Sequence, residues 1–248
     1  MKVTPIKTEK ILSGSISLFE ILNKYIKDLN ENSVVVVTSK IIAICEGRVV
    51  KKISEEQKDE LAKQEADLYL PREFNQYGFM ITIKNNMLVA SGGVDESNGN
   101  GFYILWPKDS QKSANEIREY LAKKHNLKNL GVIITDSKLT PVRYGVTGYA
   151  IAHSGFNALR NYIGKPDIFG RLMQAEKTNV SDSLAAAAVL EMGEGSEQQP
   201  LAIITDVGSI EFQERNPTEE ELEGLKISIG DDVFSSLLTS VKWQKGKK

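Results

Sequence analysis

Three short runs of consecutive apolar residues constrain the fold of this chain more than any other feature. They cover residues 34–37, 130–135 and 201–205, and most of their members are β-branched. A strand with one face in water alternates apolar and polar residues, whereas an uninterrupted apolar run indicates a strand buried on both faces. We therefore expect each of these runs to form a strand that is buried on both faces.

Helical patterns lie between these runs. Ser17 and Glu20 form a capping box, and apolar residues then recur at helical spacing as far as Leu29. Further helices are predicted from a cap at Ser54 to about Leu68, after Asp109, and from a cap at Ser181 and Asp182 to Met192. An Asn-rich turn at residues 84–86 predicts a hairpin, and the tail is expected to hold two short helices and a disordered basic end at residues 245–248. Strands and helices interleave irregularly without an internal linker, which predicts an α+β (mixed α/β) fold in a single domain, residues 1–248.

Composition excludes several classes of protein. The 31 Lys and Arg nearly balance the 33 Asp and Glu, for a net charge of −2, which does not suit binding of polynucleotide through its phosphates. A weaker nucleic-acid hypothesis rests on residues 245–248, but no aromatic stacking platform accompanies that basic end. The only cysteine, Cys45, cannot form an internal disulfide, and no apolar run approaches the ~20 residues that span a bilayer. These observations predict a soluble cytoplasmic protein that binds neither nucleic acid nor membrane.

Common nucleotide and metal motifs are absent from the sequence. There is no Gly-x-x-x-x-Gly-Lys-Ser/Thr, and no Gly-x-Gly-x-x-Gly opens a helix after a strand. Residues 95–106 match a calcium loop poorly, because Trp106 stands where a bidentate Glu is required. The two histidines, His125 and His153, are too far apart for a His-x-x-x-His metal motif.

Three polar segments remain as candidates for a site. Residues 38–40 and 136–137 each follow a predicted buried strand, where ligands bind in open α/β sheets. Residues 92–101 add Asp95 and its polar neighbours on a glycine-rich backbone. Asp95 and Asp136 could supply two carboxylates to a divalent cation that also contacts substrate phosphates. The alternative is that all three segments are ordinary turns, because Gly, Asp, Asn and Ser favour turns for reasons of their own.

Several sequence blocks occur in an order and spacing typical of one enzyme family. They are Thr38-Ser39-Lys40-Ile41 with Glu46-Gly47-Arg48, Gly93-Val94-Asp95-Glu96-Ser97-Asn98, Ser113-Ala114 with Ile117-Arg118, Ile134-Thr135-Asp136, Pro141 with Arg143, Gly164-Lys165-Pro166-Asp167 with Phe169-Gly170-Arg171, and Asp182 to Ala188 with Met192-Gly193. From about residue 3 to residue 205 the chain resembles the GTP-dependent γ-glutamyl ligases, whose type member adds L-glutamate to a coenzyme F-420 precursor. It is most similar to bacterial relatives assigned to folate metabolism.

The resemblance implies a fold, ligands and residue roles. The fold would be that of the γ-glutamyl ligases in an intertwined homodimer, with GTP, L-glutamate and an acceptor carboxylate as substrates. Two Mg²⁺ or Mn²⁺ sites are implied, and a monovalent cation is compatible with them. The implied metal ligands are Asp95, Asp136, Ser137 and Glu194; the implied nucleotide-binding residues are Ser39, Lys40, Asn98, Met192, Gly193, Glu194 and Gly195; the implied catalytic residues are Asp95, Asp136 and Arg143. Glu194 could instead be a solvated loop residue, Lys40 could merely flank the site, and Arg143 and Arg171 could each form a structural ion pair.

Departures from the family pattern surround the retained carboxylates. Ile44 replaces a lysine, residues 138–140 replace an aromatic-containing stretch, and Val189 replaces a helix glutamate. We interpret this as ligase chemistry with an altered acceptor. The alternative is a catalytically degenerate nucleotide-binding or regulatory protein of the same fold.

Overall fold

The computed structural model describes residues 1–247 as a mixture of strands and helices. The strands are β1 (Lys2–Ile6), β2 (Ser33–Thr38), β3 (Val49–Lys51), β4 (Leu68–Leu70), β5 (Ile81–Lys84), β6 (Met87–Ala90), β7 (Phe102–Ile104), β8 (Leu130–Leu139), β9 (Val146–Ser154), β10 (Leu159–Asn161), β11 (Lys177–Asn179), β12 (Leu201–Thr205) and β13 (Gln244–Lys245). The helices are α1 (Leu18–Tyr25), α2 (Ser39–Cys45), α3 (Glu55–Glu65), α4 (Ser110–His125), α5 (Val180–Met192), α6 (Glu219–Glu223) and α7 (Ser235–Leu238). This content confirms the predicted α+β class.

A five-stranded sheet in the order β1-β12-β2-β8-β9 forms the centre of the fold. Strands β2 and β8 run parallel, and every other neighbouring pair in this sheet is antiparallel. The three strands predicted from the apolar runs are therefore neighbours in the middle of one sheet. Smaller sheets have the orders β13-β4-β5-β6, β3-β7 and β10-β11.

Alternate residues of β2 enter two different cores. Val35 and Val37 pack with residues of α1 and α4 on one face of the sheet. Val34 and Val36 pack with residues of α5 on the other face. All four valines are fully buried. The prediction of a strand covered on both faces is confirmed, and it explains why the run does not alternate with polar residues.

Local signals for caps and turns are mostly confirmed. Ser17 and Glu20 form the predicted capping box, and the β5–β6 hairpin turns at Asn85 and Asn86, which both adopt positive φ. Three helix boundaries were predicted wrongly. Helix α1 ends at Tyr25, although Leu29 is still buried. Residue 68 begins β4 and does not end α3. The side chain that caps α5 is that of Asn179, not that of Ser181 or Asp182.

The prediction of a disordered basic end is wrong for residues 245–247. Lys245 lies in β13, which pairs with β4. The next two amides continue the docking, since Gly246 donates to the Asp67 carbonyl at 2.9 Å and Lys247 donates to the Lys63 carbonyl at 2.7 Å. Because backbone groups make these contacts, no pattern of side chains in the sequence predicts them. Lys248 lies outside the described residues.

The two predicted short helices of the tail are confirmed as α6 and α7. None of the helices within residues 1–247 combines the length and the hydropathy that a bilayer crossing requires.

Candidate active site

A cleft of about 1000 Å³ opens where the parallel strands β2 and β8 end their pairing. Thr38 and Thr135 form the last parallel pair, and both line this space, here termed the central cleft. Residues from segments 8–12, 89–106 and 189–200 complete its walls. Every predicted site residue except Arg143 lines it: Ser39, Lys40, Asp95, Asn98, Asp136, Ser137, Met192, Gly193, Glu194 and Gly195.

Lys40 and Asp95 form an ion pair inside the cleft. The Lys40 ammonium lies 2.7 Å from Asp95 Oδ2 and donates to the Ser97 carbonyl and hydroxyl, each at 2.8 Å. Asp95 Oδ1 accepts the amides of Glu96 and Ser97 at 2.6 and 2.9 Å, which fixes the turn that carries it. Burial opposes ionisation of Asp95, but the charge and hydrogen bond of Lys40, together with the hydrogen bonds from Ser97, outweigh it and hold the pKa below its ordinary value. The Asp95 carboxylate is therefore ionised and can bind a cation.

Asp136 occupies a more apolar part of the cleft. It was predicted to follow the end of its strand, but β8 continues to Leu139 because β9 pairs with it beyond a bulge at residues 134–135. Asp136 instead lies just past the end of the parallel pairing with β2. Its Oδ1 accepts the Ser137 amide at 2.8 Å, and its Oδ2 accepts the indole N–H of Trp106.

Electrostatics distinguish Asp136 from Asp95. Burial raises the pKa of Asp136 to about 6, against its two hydrogen bonds, and the negative charge of Asp95 adds to the rise. Two carboxylates whose charges repel in one cleft would be stabilised by a cation placed between them.

A second contact joins the other pair of predicted metal ligands. The Ser137 hydroxyl donates to Glu194 Oε1 at 2.5 Å. Nearby, the Asn98 amide donates to the Gly195 carbonyl at 2.8 Å, which ties the glycine-rich loop to the loop after α5. Glu194 is thus drawn into the cleft by a specific partner, although its side chain reaches solvent.

Three residues of the cleft were not predicted as site residues. The indole N–H of Trp106 donates to Asp136. Thr135 Oγ1 and the Tyr149 hydroxyl are buried and find no hydrogen-bond partner within the described chain. Burial, followed by the charges of Asp136 and Asp182, raises the pKa of Tyr149, so its hydroxyl stays protonated and can donate. The only sequence signal for Thr135 is that it precedes Asp136. Tyr149 has no such signal, because its place opposite Asp136 comes from the pairing of β9 with β8.

The structure does not bring Arg143 to the cleft. Because β8 runs on to Leu139, the turn to β9 carries Arg143 away from the sheet edge, between the fully exposed Val142 and Tyr144. Met192, which was expected to bind nucleotide, borders the cleft but is almost fully buried among the residues that pack under α5. Their predicted roles stay predictions.

The donor set can be compared with the needs of a divalent cation. Within residues 1–247, no three His, Cys, Asp or Glu side chains are grouped to hold a metal ion by themselves. The cleft instead offers oxygen donors in two pairs, Asp95 with Asp136 and Ser137 with Glu194. Mg²⁺ prefers such oxygens, usually binds only one or two carboxylates, and takes further ligands from substrate phosphates and water. The residues fit a cation that is held jointly with a phosphorylated substrate.

Comparison with known proteins identifies the class as a ligase. The family model described as F420-0:Gamma-glutamyl ligase matches residues 5–206, close to the predicted extent of 3–205. The chain belongs to this family.

Named relatives support the same assignment. The chain is similar to the Coenzyme F420:L-glutamate ligase of Archaeoglobus fulgidus, with 30% identity over 89% of this chain and 95% of the relative. It is also similar to proteins of that name from Methanocaldococcus jannaschii, with 35% identity over 76% and 80%, and from Methanococcus maripaludis strain C6, with 33% identity over 78% and 84%.

Proposed function

We propose that this protein is a GTP- and divalent-metal-dependent γ-glutamyl ligase, which joins the amine of L-glutamate to an acceptor carboxylate. The observation that carries the proposal is the convergence of Lys40, Asp95, Asp136, Ser137 and Glu194 on one cleft in a member of this family. A cleft of about 1000 Å³ has room for a nucleotide beside a second substrate.

The proposed reaction has two steps. An oxygen of the acceptor carboxylate attacks the γ-phosphorus of GTP, and GDP leaves with the electron pair of the broken P–O bond. The amine of L-glutamate then attacks the carbonyl carbon of the acyl phosphate, inorganic phosphate leaves, and the nitrogen loses a proton as the amide forms. Most of the catalysis in such a sequence comes from positioning and from stabilising charge.

The residues of the cleft would divide this work. Asp95 and Asp136 would hold one divalent cation, and Ser137 with Glu194 would hold a second. When bound, the cations would neutralise the phosphate oxygens. Lys40, which pairs with Asp95 in the structure, would exchange that contact for a phosphate oxygen when the nucleotide binds.

The loops would select and enclose the nucleotide. Asn98 holds the glycine-rich loop against the loop that begins at Gly193, and Ser39 starts helix α2 at the cleft wall. The acceptor is proposed to be a coenzyme F420 precursor, as the names of the relatives suggest, or folate, as the resemblance to folate-linked ligases suggests.

We further propose that the enzyme is a cytoplasmic homodimer. Two hairpins end in apolar side chains that are almost fully exposed in the single chain: Val142 and Tyr144 between β8 and β9, and Ile168 and Phe169 between β10 and β11. Large apolar side chains exposed together at the tip of a hairpin are candidates for a protein contact. Light scattering during gel filtration should give twice the mass of the 27.5 kDa chain.

An activity screen with matched variants tests the ligase. The protein is incubated with GTP or ATP, Mg²⁺ or Mn²⁺, L-glutamate and either acceptor, and mass spectrometry detects the added glutamyl unit. We expect Asp95→Asn and Asp136→Asn to lower the rate by at least about 100-fold, because each removes a charge on which phosphoryl transfer depends. Asp206→Asn is the control, since this exposed aspartate follows β12 outside the cleft wall.

Two results would contradict the proposal. Nucleotide binding without turnover for any acceptor would favour the degenerate regulatory protein. Equal activity of the Asp95→Asn, Asp136→Asn and Asp206→Asn proteins would remove the carboxylates from the mechanism.

A further inference from the structure

A partly buried group of charges lies behind the central cleft, with Lys84 as its most buried member. The Lys84 side chain at the end of β5 is 5% exposed, and its ammonium lies 2.7 Å from Glu65 Oε2. The other oxygen of Glu65 accepts from Arg48 at 2.6 Å. Removing charges from water costs several kcal/mol per ion, so such a group is weak evidence for stability and raises the question of what it positions.

Lys84 contacts a neighbour of each candidate metal-binding carboxylate. Its ammonium donates to the Gly92 carbonyl at 3.1 Å, three residues before Asp95. The same ammonium lies 4.7 Å from the centre of the Trp106 ring, within the range of a cation–π contact. The Trp106 indole N–H in turn donates to Asp136.

The indole is held in place from several directions. Trp106 is 2% exposed and packs with Val89 and Tyr149. Arg48 Nε donates to its carbonyl at 3.1 Å. A Cβ atom at Gly93 would lie only 2.3 Å from the indole nitrogen, so the backbone there touches the ring. The N–H that meets Asp136 therefore has little freedom to move.

We propose that Lys84 and Trp106 are positioning residues that set the Asp95 and Asp136 carboxylates in register for one divalent cation. Lys84 fixes the start of the loop that carries Asp95 and supports the ring of Trp106, and Trp106 orients Asp136. The proposal depends on the metal-dependent function argued above. Hydrogen bonds to metal-ligating carboxylates commonly change metal affinity 10–100-fold when they are removed.

The test measures binding of Mn²⁺ itself, by loss of the electron paramagnetic resonance signal of free Mn²⁺, with a non-hydrolysable GTP analogue present. Trp106→Phe keeps an aromatic ring and removes the donor, and Lys84→Met keeps the chain length and removes the charge. We expect each variant to raise the Kd for Mn²⁺ about tenfold. We also expect KM for L-glutamate to stay within about twofold, because neither change removes a proposed substrate contact.

Matched controls separate positioning from general damage. Trp243→Phe removes the other tryptophan, whose N–H donates to the Leu238 carbonyl in the tail. Lys63→Met removes a lysine with the same two kinds of contact, 2.7 Å from Glu60 and 5.9 Å from the Tyr69 ring. Both controls should bind Mn²⁺ as the wild type does.

A second readout does not depend on affinity. The Trp243→Phe protein contains Trp106 as its sole tryptophan. Bound Mn²⁺ should quench its fluorescence, whereas the Trp106→Phe protein, which retains Trp243, should show no quenching at the same occupancy. If Mn²⁺ bound to the Trp243→Phe protein without quenching its fluorescence, the proposal that Trp106 lies beside the metal would be overturned.

The possible failures are distinguishable. If the wild type binds no Mn²⁺ with the nucleotide analogue, the proposed metal dependence fails and this inference fails with it. If the wild type binds Mn²⁺ and folded Trp106→Phe binds it equally well, only the positioning role is overturned. Should Lys84→Met fail to fold, Trp106→Phe still decides the outcome, because it leaves the buried charges paired.

Discussion

Gly93 provides a sharp test of how tightly the site is built. Its φ is +74°, and an added Cβ would lie 2.3 Å from Trp106 Nε1 and 2.5 Å from Cε2. Alanine in left-handed backbone costs about 1–2 kcal/mol. Because the Trp106 ring is buried and cannot swing aside freely, overpacking should add about 1–3 kcal/mol. We expect Gly93→Ala to lower the free energy of unfolding by about 2–5 kcal/mol.

Gly101→Ala is the control for this substitution. Gly101 lies in the same loop region with φ +85°, but an added Cβ there would meet no atom within 4 Å. This variant should lose only the backbone contribution of about 1–2 kcal/mol. Urea unfolding followed by far-ultraviolet circular dichroism gives both values, provided that the m-values agree with that of the wild type.

The difference between the two variants isolates the contact with the indole. If Gly93→Ala and Gly101→Ala were equally destabilised, the ring could move without cost and the reasoning about its fixed position would be refuted. We also expect Mn²⁺ affinity to fall in Gly93→Ala alone, because a displaced indole no longer donates to Asp136.

Two further predictions concern stability. The pKa of Asp136 in the folded, metal-free protein is about 6, and its ordinary value is 3.8. Because the folded state holds this proton more tightly than the unfolded state does, the free energy of unfolding falls as pH rises from about 4 to about 6, by up to about 3 kcal/mol. Asp136→Asn should therefore raise the free energy of unfolding at pH 8 relative to the wild type, and the control Asp206→Asn should not. Urea titrations at pH 4.5 and pH 8 measure both. If Asp136→Asn kept the pH dependence of the wild type, the burial argument would be contradicted. In the tail, Asn216 Oδ1 accepts from buried Arg118 at 2.8 Å and from Ser154 at 3.0 Å, so Asn216→Ala should cost about 1–3 kcal/mol by leaving a buried charged donor unpaired. A melting temperature equal to that of the wild type would show that water replaces this acceptor.

The central fold could be predicted because its signals are local. An uninterrupted run such as residues 34–37 reports burial on both faces, and the structure sends its alternate side chains into two cores. The docking of β13 could not be predicted, since the pairing of Gln244 and Lys245 with β4 is made by backbone groups that every sequence possesses. The misplaced end of β8 has a similar cause, because pairing with β9 prolongs the strand through the polar residues at 136–138.

The candidate site divides in the same way. Asp136 was singled out because polar residues after buried strands collect at one edge of a sheet. Asp95 was singled out as a carboxylate in a glycine-rich polar segment, and both residues line the central cleft. Trp106 is separated from Asp136 by 29 intervening residues and lies in an apolar stretch, so its sequence context indicates only a core residue. Its role depends on close approach to Gly93 and on a buried lysine over its ring. Carboxylates that bind a ligand can thus be found by residue type and position, whereas the groups that orient them become visible only when the packing around them is known.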